Sequence, residues 1–129
     1  MAKILKFEDL EIWQQGRAIC KFVECLFEET NLGKRYSLMN QMDRSSGSVM
    51  DNIAEGFERN GNREFIQFLS IAKGSCGELK SQNYRAFDKN LISEEQFEKL
   101  NVMTDECKNR IAAMMNYLNN CEIKVLKFK

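Results

Sequence analysis

Residues 37–57 read SLMNQMDRSSGSVMDNIAEGF, and the fold is decided there. Leu38, Met42, Val49, Ile53 and Phe57 recur at helical spacing, which makes one face of a long helix apolar. Ser37 stands where an N-cap is expected, and Asn60-Gly61 supplies the stop. A second pattern runs through the same residues. Arg44, Ser48, Asn52, Glu55 and Arg59 fall within an arc of about 80°, beside the apolar stripe and not opposite it. Gly47 and Gly56 lie inside the helix, where each glycine costs about 1 kcal/mol relative to alanine. Close approach of another helix or of a ligand would offset that cost.

Working outward, residues 8–30 carry Ile12, Trp13, Ile19, Cys20, Val23, Leu26 and Phe27, a stripe covering nearly half the helix circumference. Asn31 and Gly33 end that segment. After Asn60-Gly61 a third helix starts near Asn62, and so short a connection makes the neighbours antiparallel. Its stripe is Phe65, Phe68, Leu69, Ala72, Cys76, Leu79, Asn83, Ala86 and Phe87, ending at Asn90. Ser93-Glu94-Glu95-Gln96 is a capping box that opens a fourth helix with Phe97, Leu100, Met103, Cys107, Ile111, Met114, Leu118 and Cys121. No segment alternates as a strand does. The expected fold is all-α, an antiparallel up-down-up-down four-helix bundle forming one domain over residues 1–129. Short basic-apolar tails flank it at 1–7 and 122–129. Lys3-Ile4-Leu5-Lys6-Phe7 resembles Lys124-Val125-Leu126-Lys127-Phe128, so the tails are expected either to pair as a short ribbon or, more simply, to fray.

The chain has 129 residues, 43% of them apolar and 29% charged, which suits a globular protein and argues against disorder. Nineteen basic residues balance nineteen acidic ones, so a strongly cationic nucleic-acid binder is disfavoured while a local basic patch stays open. There is no histidine, which removes Ser-His-Asp and Cys-His catalysis and every His-ligated metal site within one chain. No apolar run is long enough to span a membrane, and residues 1–7 do not form a signal peptide. Cys20, Cys25, Cys76, Cys107 and Cys121 are odd in number and have no CxxC spacing. They read as reduced, mostly buried thiols of a cytoplasmic protein. Neither metal nor cofactor is expected.

The candidate sites follow from the polar arc. On the third helix Gly74 and Gly77 flatten one side, and Glu78 is placed to meet an arginine of the neighbouring helix. Two readings stand: an ion-paired, tightly packed seam, or a surface for an anionic or protein partner. Arg44, Asn52, Glu55, Arg59, Arg63 and Glu78 are the partner- or RNA-binding candidates. Arg59 and Arg63, with Lys73, offer the best place for a phosphate, diluted by Glu58 and Glu64. Ile12, Trp13, Phe22, Gly74 and Gly77 are the oligomer-contact candidates. Catalysis is not expected. Glu55 and Glu78 are an available carboxylate pair, but no phosphate-cradling loop or Glu-x-x-His pair accompanies them.

Several motifs carry a family resemblance. They are Phe7-Glu8-Asp9-Leu10-Glu11-Ile12-Trp13-Gln14, Asn52-Ile53-Ala54-Glu55-Gly56-Phe57-Glu58-Arg59, Glu64-Phe65-Ile66-Gln67-Phe68-Leu69-Ser70-Ile71-Ala72-Lys73-Gly74-Ser75 and Gly77-Glu78-Leu79. In this order the chain resembles the 23S rRNA-intervening sequence proteins over about residues 7–118. Where that family often has Phe-Pro near the end of helix one, this chain has Phe27-Glu28. Where it often has proline before Asn-Ile-Ala-Glu-Gly, this chain has Met50-Asp51. The resemblance implies a four-helix bundle assembling as a homopentamer around a channel. Two functions follow from it as expectations. One is an oligomeric scaffold or adaptor for a protein partner; the other is an RNA-binding accessory protein associated with rRNA or a reverse transcriptase.

Overall fold

A computed structural model describes the backbone of residues 4–127 and the side chains of residues 4–121. The described residues form four α-helices: α1 Glu11–Glu29, α2 Tyr36–Glu58, α3 Asn62–Asp88 and α4 Glu94–Lys127. Contacts between them run in opposite sequence directions throughout. Gly16 packs on Met50 and Cys20 lies beside Ser46, so α1 and α2 are antiparallel. Ser45 meets Gln82, Ser48 meets Ser75, and Gly56 lies against Phe68, which reverses α3 relative to α2. Lys80 pairs with Asp105 while Phe87 stacks on Phe97, reversing α4 in turn. The Ile12 carbonyl accepts from Cys107 as the Phe22 ring lies under Lys99, and this closes α4 back onto α1. The result is the expected up-down-up-down bundle.

Local signals explain most of the ends. The Gln96 amide donates to Ser93 Oγ at 3.1 Å and the Ser93 amide to Gln96 Oε1 at 2.9 Å, the reciprocal capping box. Gly61, with φ +102°, separates α2 from α3, and Asn90, at φ 59°, follows α3. Two starts differ from expectation. The first helix begins at Glu11 because Phe7–Asp9 forms a separate 3-10 turn, with Leu10 in extended geometry between them. The second begins at Tyr36, one residue before Ser37, on an Arg35 that supplies no side-chain cap. A 3-10 turn over Asn31–Lys34, held by the Thr30 hydroxyl accepting from the Leu32 amide at 3.1 Å, sets that entry. The ribbon between the tails does not form in the described residues. Residues 124–127 continue α4, and Phe7 belongs to the first turn; Lys3 and Phe128 lie outside them.

Ile19, Leu26, Met42, Ile53, Leu69, Leu79, Leu100 and Ile111 form the fully buried centre, with every helix contributing. The wide stripe on α1 has its explanation here. Ile12, Ile19, Val23 and Leu26 point inward, while Cys20 flanks them towards α2, Phe22 towards α4, and half-buried Trp13 packs against the core under Phe7. Phe7 covers Trp13 edge-on at 5.2 Å between centroids, and Lys99 lies 4.9 Å over Phe22. A helix wedged between two neighbours needs about this width, so α1 retains no broad face in want of a second copy. Ile12, expected as an oligomer contact, is only 3% exposed and is a core residue of the subunit.

Candidate functional site

The polar arc of α2 faces α3. Together they line a groove of about 490 Å³ bounded by Gln41, Arg44, Ser45, Ser48, Ser75, Glu78 and Gln82. Its floor is a ladder of hydrogen bonds. Arg85 donates to Gln41 Oε1 at 2.8 Å, and Ser45 Oγ donates to Gln82 Oε1 at 2.6 Å. The Ser48 and Ser75 hydroxyls lie 2.8 Å apart. Asn52 Nδ2 donates to the Ser48 carbonyl at 2.8 Å and to its hydroxyl at 2.9 Å. Small side chains let the two backbones come close, and each buried hydroxyl or amide in the ladder has a partner, so the seam is polar without the penalty of an orphaned group.

Above this floor stand two charges that have no partner among the described residues. Arg44 and Glu78 line opposite banks, are both exposed, and form no ion pair with each other. The expected arginine–glutamate bridge across the helices is therefore not made. One bank carries positive charge and the other negative.

The remaining candidates lie towards one end of the bundle. Arg59 Nη2 pairs with Glu55 Oε1 at 2.9 Å, one turn apart on α2, with both side chains about half exposed. Such a pair contributes at most a few tenths of a kcal/mol. The Arg59 guanidinium also lies 5.0 Å over the Phe68 ring of α3. Gly56 makes this possible, because a Cβ there would sit 2.6 Å from Phe68 Cβ and 3.0 Å from Phe65 Cδ1. Arg63 lies in the first turn of α3, exposed, outside the groove. The structure thus gathers Arg44, Asn52 and Glu78 in one place and Glu55 and Arg59 in a second, with Arg63 outside the groove.

Gly74 and Gly77 are exposed on α3, and a Cβ on either would meet no atom within 4 Å. Their expected role in close helix packing is not met inside the subunit; Gly16 and Gly56 fill it instead. Gln41, Ser75 and Gln82 complete the groove, with Arg85 bonded to Gln41, and none of the four was singled out as a site residue in the sequence. Their signal is that Ser75 and Gln82 flank the apolar stripe of α3 as Ser48 and Asn52 flank that of α2.

Nucleophiles and metal ligands do not converge. Among the described residues no group of three acidic or cysteine side chains is placed to hold a metal ion. Cys76 and Cys107 face each other in the core, where the Cys107 S–H directed at Cys76 and then burial keep the Cys107 thiol protonated well above its ordinary range. Burial likewise pushes the Cys20 thiol up. Inert thiols of this kind behave as small apolar groups. No helix is long and apolar enough to cross a membrane among the described residues.

Comparison with known proteins adds three findings. The family model described as 23S rRNA-intervening sequence protein matches residues 8–113. No curated protein matches the chain. A solved structure of a protein of unknown function from Bacteroides thetaiotaomicron, assigned to the S23 ribosomal protein family, superposes with a TM-score of 0.74 at 19% identity, covering 81% of this chain and 97% of that one. At that identity the likeness speaks for the fold.

Proposed function

Since the chain belongs to the family of 23S rRNA-intervening sequence proteins, we propose that it is a non-enzymatic helical scaffold whose α2/α3 groove makes contacts with protein, beginning with copies of itself. The observation that carries this reading is the groove's pair of unpartnered opposite charges, Arg44 and Glu78, above a floor of satisfied small polar side chains. Surfaces that bind phosphate backbones concentrate one sign of charge. This one presents both, which suits a protein surface of alternating charge. Gly74, one turn before Glu78 on α3, leaves open space beside the groove that a second helix can approach closely. Assembly into the ring of five that the family resemblance implies would repeat the groove around an axis. Free thiols, four of them buried or half-buried on helix faces and Cys25 exposed, fit a cytoplasmic setting.

Charge reversal tests the reading. Sedimentation of the wild-type chain is expected to give a mass several times 15.1 kDa, and Arg44→Glu or Glu78→Arg to shift it towards the monomer with helix content unchanged. A folded monomer in the wild type at micromolar concentration contradicts self-association. Titration with structured RNA across salt concentration decides against the alternative. A steep inverse slope of log affinity on log salt, reduced by Arg59→Ala and Arg63→Ala, would replace the protein-contact reading with RNA binding.

A further inference from the structure

At the end of the bundle where α2 gives way to α3, a cavity of about 280 Å³ opens between Phe57, Phe65, Met114, Leu118 and Ile4. It is separate from the α2/α3 groove, and none of the protein contacts proposed above uses it. Its wall is apolar and partly aromatic: Phe57 and Phe65 meet edge to face, with centroids 6.0 Å apart and planes at 85°. A dry apolar cavity of about 150 Å³ already holds one benzene ring, so this one has room for a ring and a short arm. Among the described residues that line it, Arg59 is the one that is charged. The guanidinium is steadied over Phe68 at 5.0 Å and otherwise engages only the exposed, half-solvated Glu55 carboxylate. An ion pair so exposed is weak and exchanges readily for another carboxylate.

We propose that this cavity binds a small amphipathic carboxylate, an aromatic ring on a short alkyl arm, with the ring against Phe57, Phe65 and Met114 and the carboxylate on Arg59 in place of Glu55. The aromatic body follows from the edge-to-face pair, which offers a third ring both an edge and a face. The anionic head follows from the positive sign of Arg59, the charged group among the described lining residues, because a carboxylate on a guanidinium forms paired, charge-assisted hydrogen bonds.

The full chain is titrated calorimetrically with 3-phenylpropionate and with its neutral amide, 3-phenylpropionamide, while the Met114 methyl resonance is followed by NMR. Saturable binding of one carboxylate per chain is expected, with a shift of the Met114 methyl. The amide is expected to bind about tenfold more weakly, the size of one lost charge-assisted contact. Arg59→Gln should erase the difference between acid and amide, and Glu55→Gln should tighten the acid alone by removing its competitor. Met114→Trp should fill the cavity and remove binding of both ligands. Should that variant lose its helical circular dichroism, the methyl shift in the wild-type chain and the Arg59→Gln and Glu55→Gln titrations decide instead. Absence of saturation at millimolar ligand, equal affinity for acid and amide, or saturation with the Met114 methyl unmoved would each overturn the proposal. None of these results depends on whether the α2/α3 groove binds protein.

Discussion

At Gly56 the two central helices touch, whereas at Gly74 and Gly77 nothing in the subunit comes near α3. A Cβ on Gly56 would lie 2.6 Å from Phe68 Cβ, while one on Gly74 or Gly77 would project into open space. All three are interior helix positions, so each gives up about 1 kcal/mol of helix propensity relative to alanine. Only at Gly56 does a contact inside the chain account for the loss. The comparison teaches that α3 is a helix with one finished side and one unfinished side. Its inner side is closed by α2 and α4, and its outer side carries a helix-weakening feature that the fold does not use.

The largest effect is expected on the finished side. Gly56→Ala forces Phe68 or the α2 backbone to move and should lower unfolding free energy in urea by about 2 kcal/mol. A loss under about 0.5 kcal/mol would mean that the crossing is looser than described. On the unfinished side the sign reverses. Gly74→Ala and Gly77→Ala together should raise the stability of the dissociated subunit by about 1–2 kcal/mol, read from the same denaturation curves at low protein concentration. If the outer face is an interface, the same pair lowers the mass of the assembly, so stability and association move in opposite directions. Both rising together would place the interface elsewhere.

Smaller changes sharpen the boundary between the sides. Ser75→Ala removes one rung of the ladder and leaves the half-buried Ser48 hydroxyl with its Asn52 contact, so a loss of about 0.5–1 kcal/mol is expected. Glu55→Gln, at an exposed pair, should change stability by no more than about 0.5 kcal/mol in thermal or chemical unfolding. A drop above 1.5 kcal/mol would show that Arg59 depends on Glu55 to hold the end of the bundle.

Much of the architecture was legible in the sequence, because each helix carries its own stripe and its own stop. Asn60-Gly61, Asn90 and the Ser93–Gln96 box fell where the helices end and begin. Ser37 was misread as a cap because the preceding 3-10 turn brings the chain into helical geometry one residue earlier, and no local signal distinguishes a cap from the first-turn residue it resembles. The width of the α1 stripe was legible, but its meaning was not. Whether half a circumference of apolar residues is covered by two neighbours or left for another subunit depends on how α2 and α4 flank it, which is a tertiary fact. Ile12 was expected at an oligomer contact and lies in the core. The polar arc of α2 was visible from spacing alone. Its partners Ser75 and Gln82 were harder to see because each adjoins a buried residue, Cys76 and Asn83, that dominates the pattern of α3. The two glycine classes look identical in sequence; only the position of Phe68 separates them.

The central claim, that the groove above Ser48 and Ser75 is a place where protein docks, is tested most directly by photo-crosslinking in cells. A benzophenone side chain is installed in place of Glu78 on the groove, and separately in place of Lys21, exposed on α1. Irradiation is predicted to give discrete, ribonuclease-resistant adducts from position 78, either multiples of the chain's own mass or a defined second protein, and few from position 21. Equal adducts at both positions, none at 78, or adducts that vanish on ribonuclease treatment would contradict it.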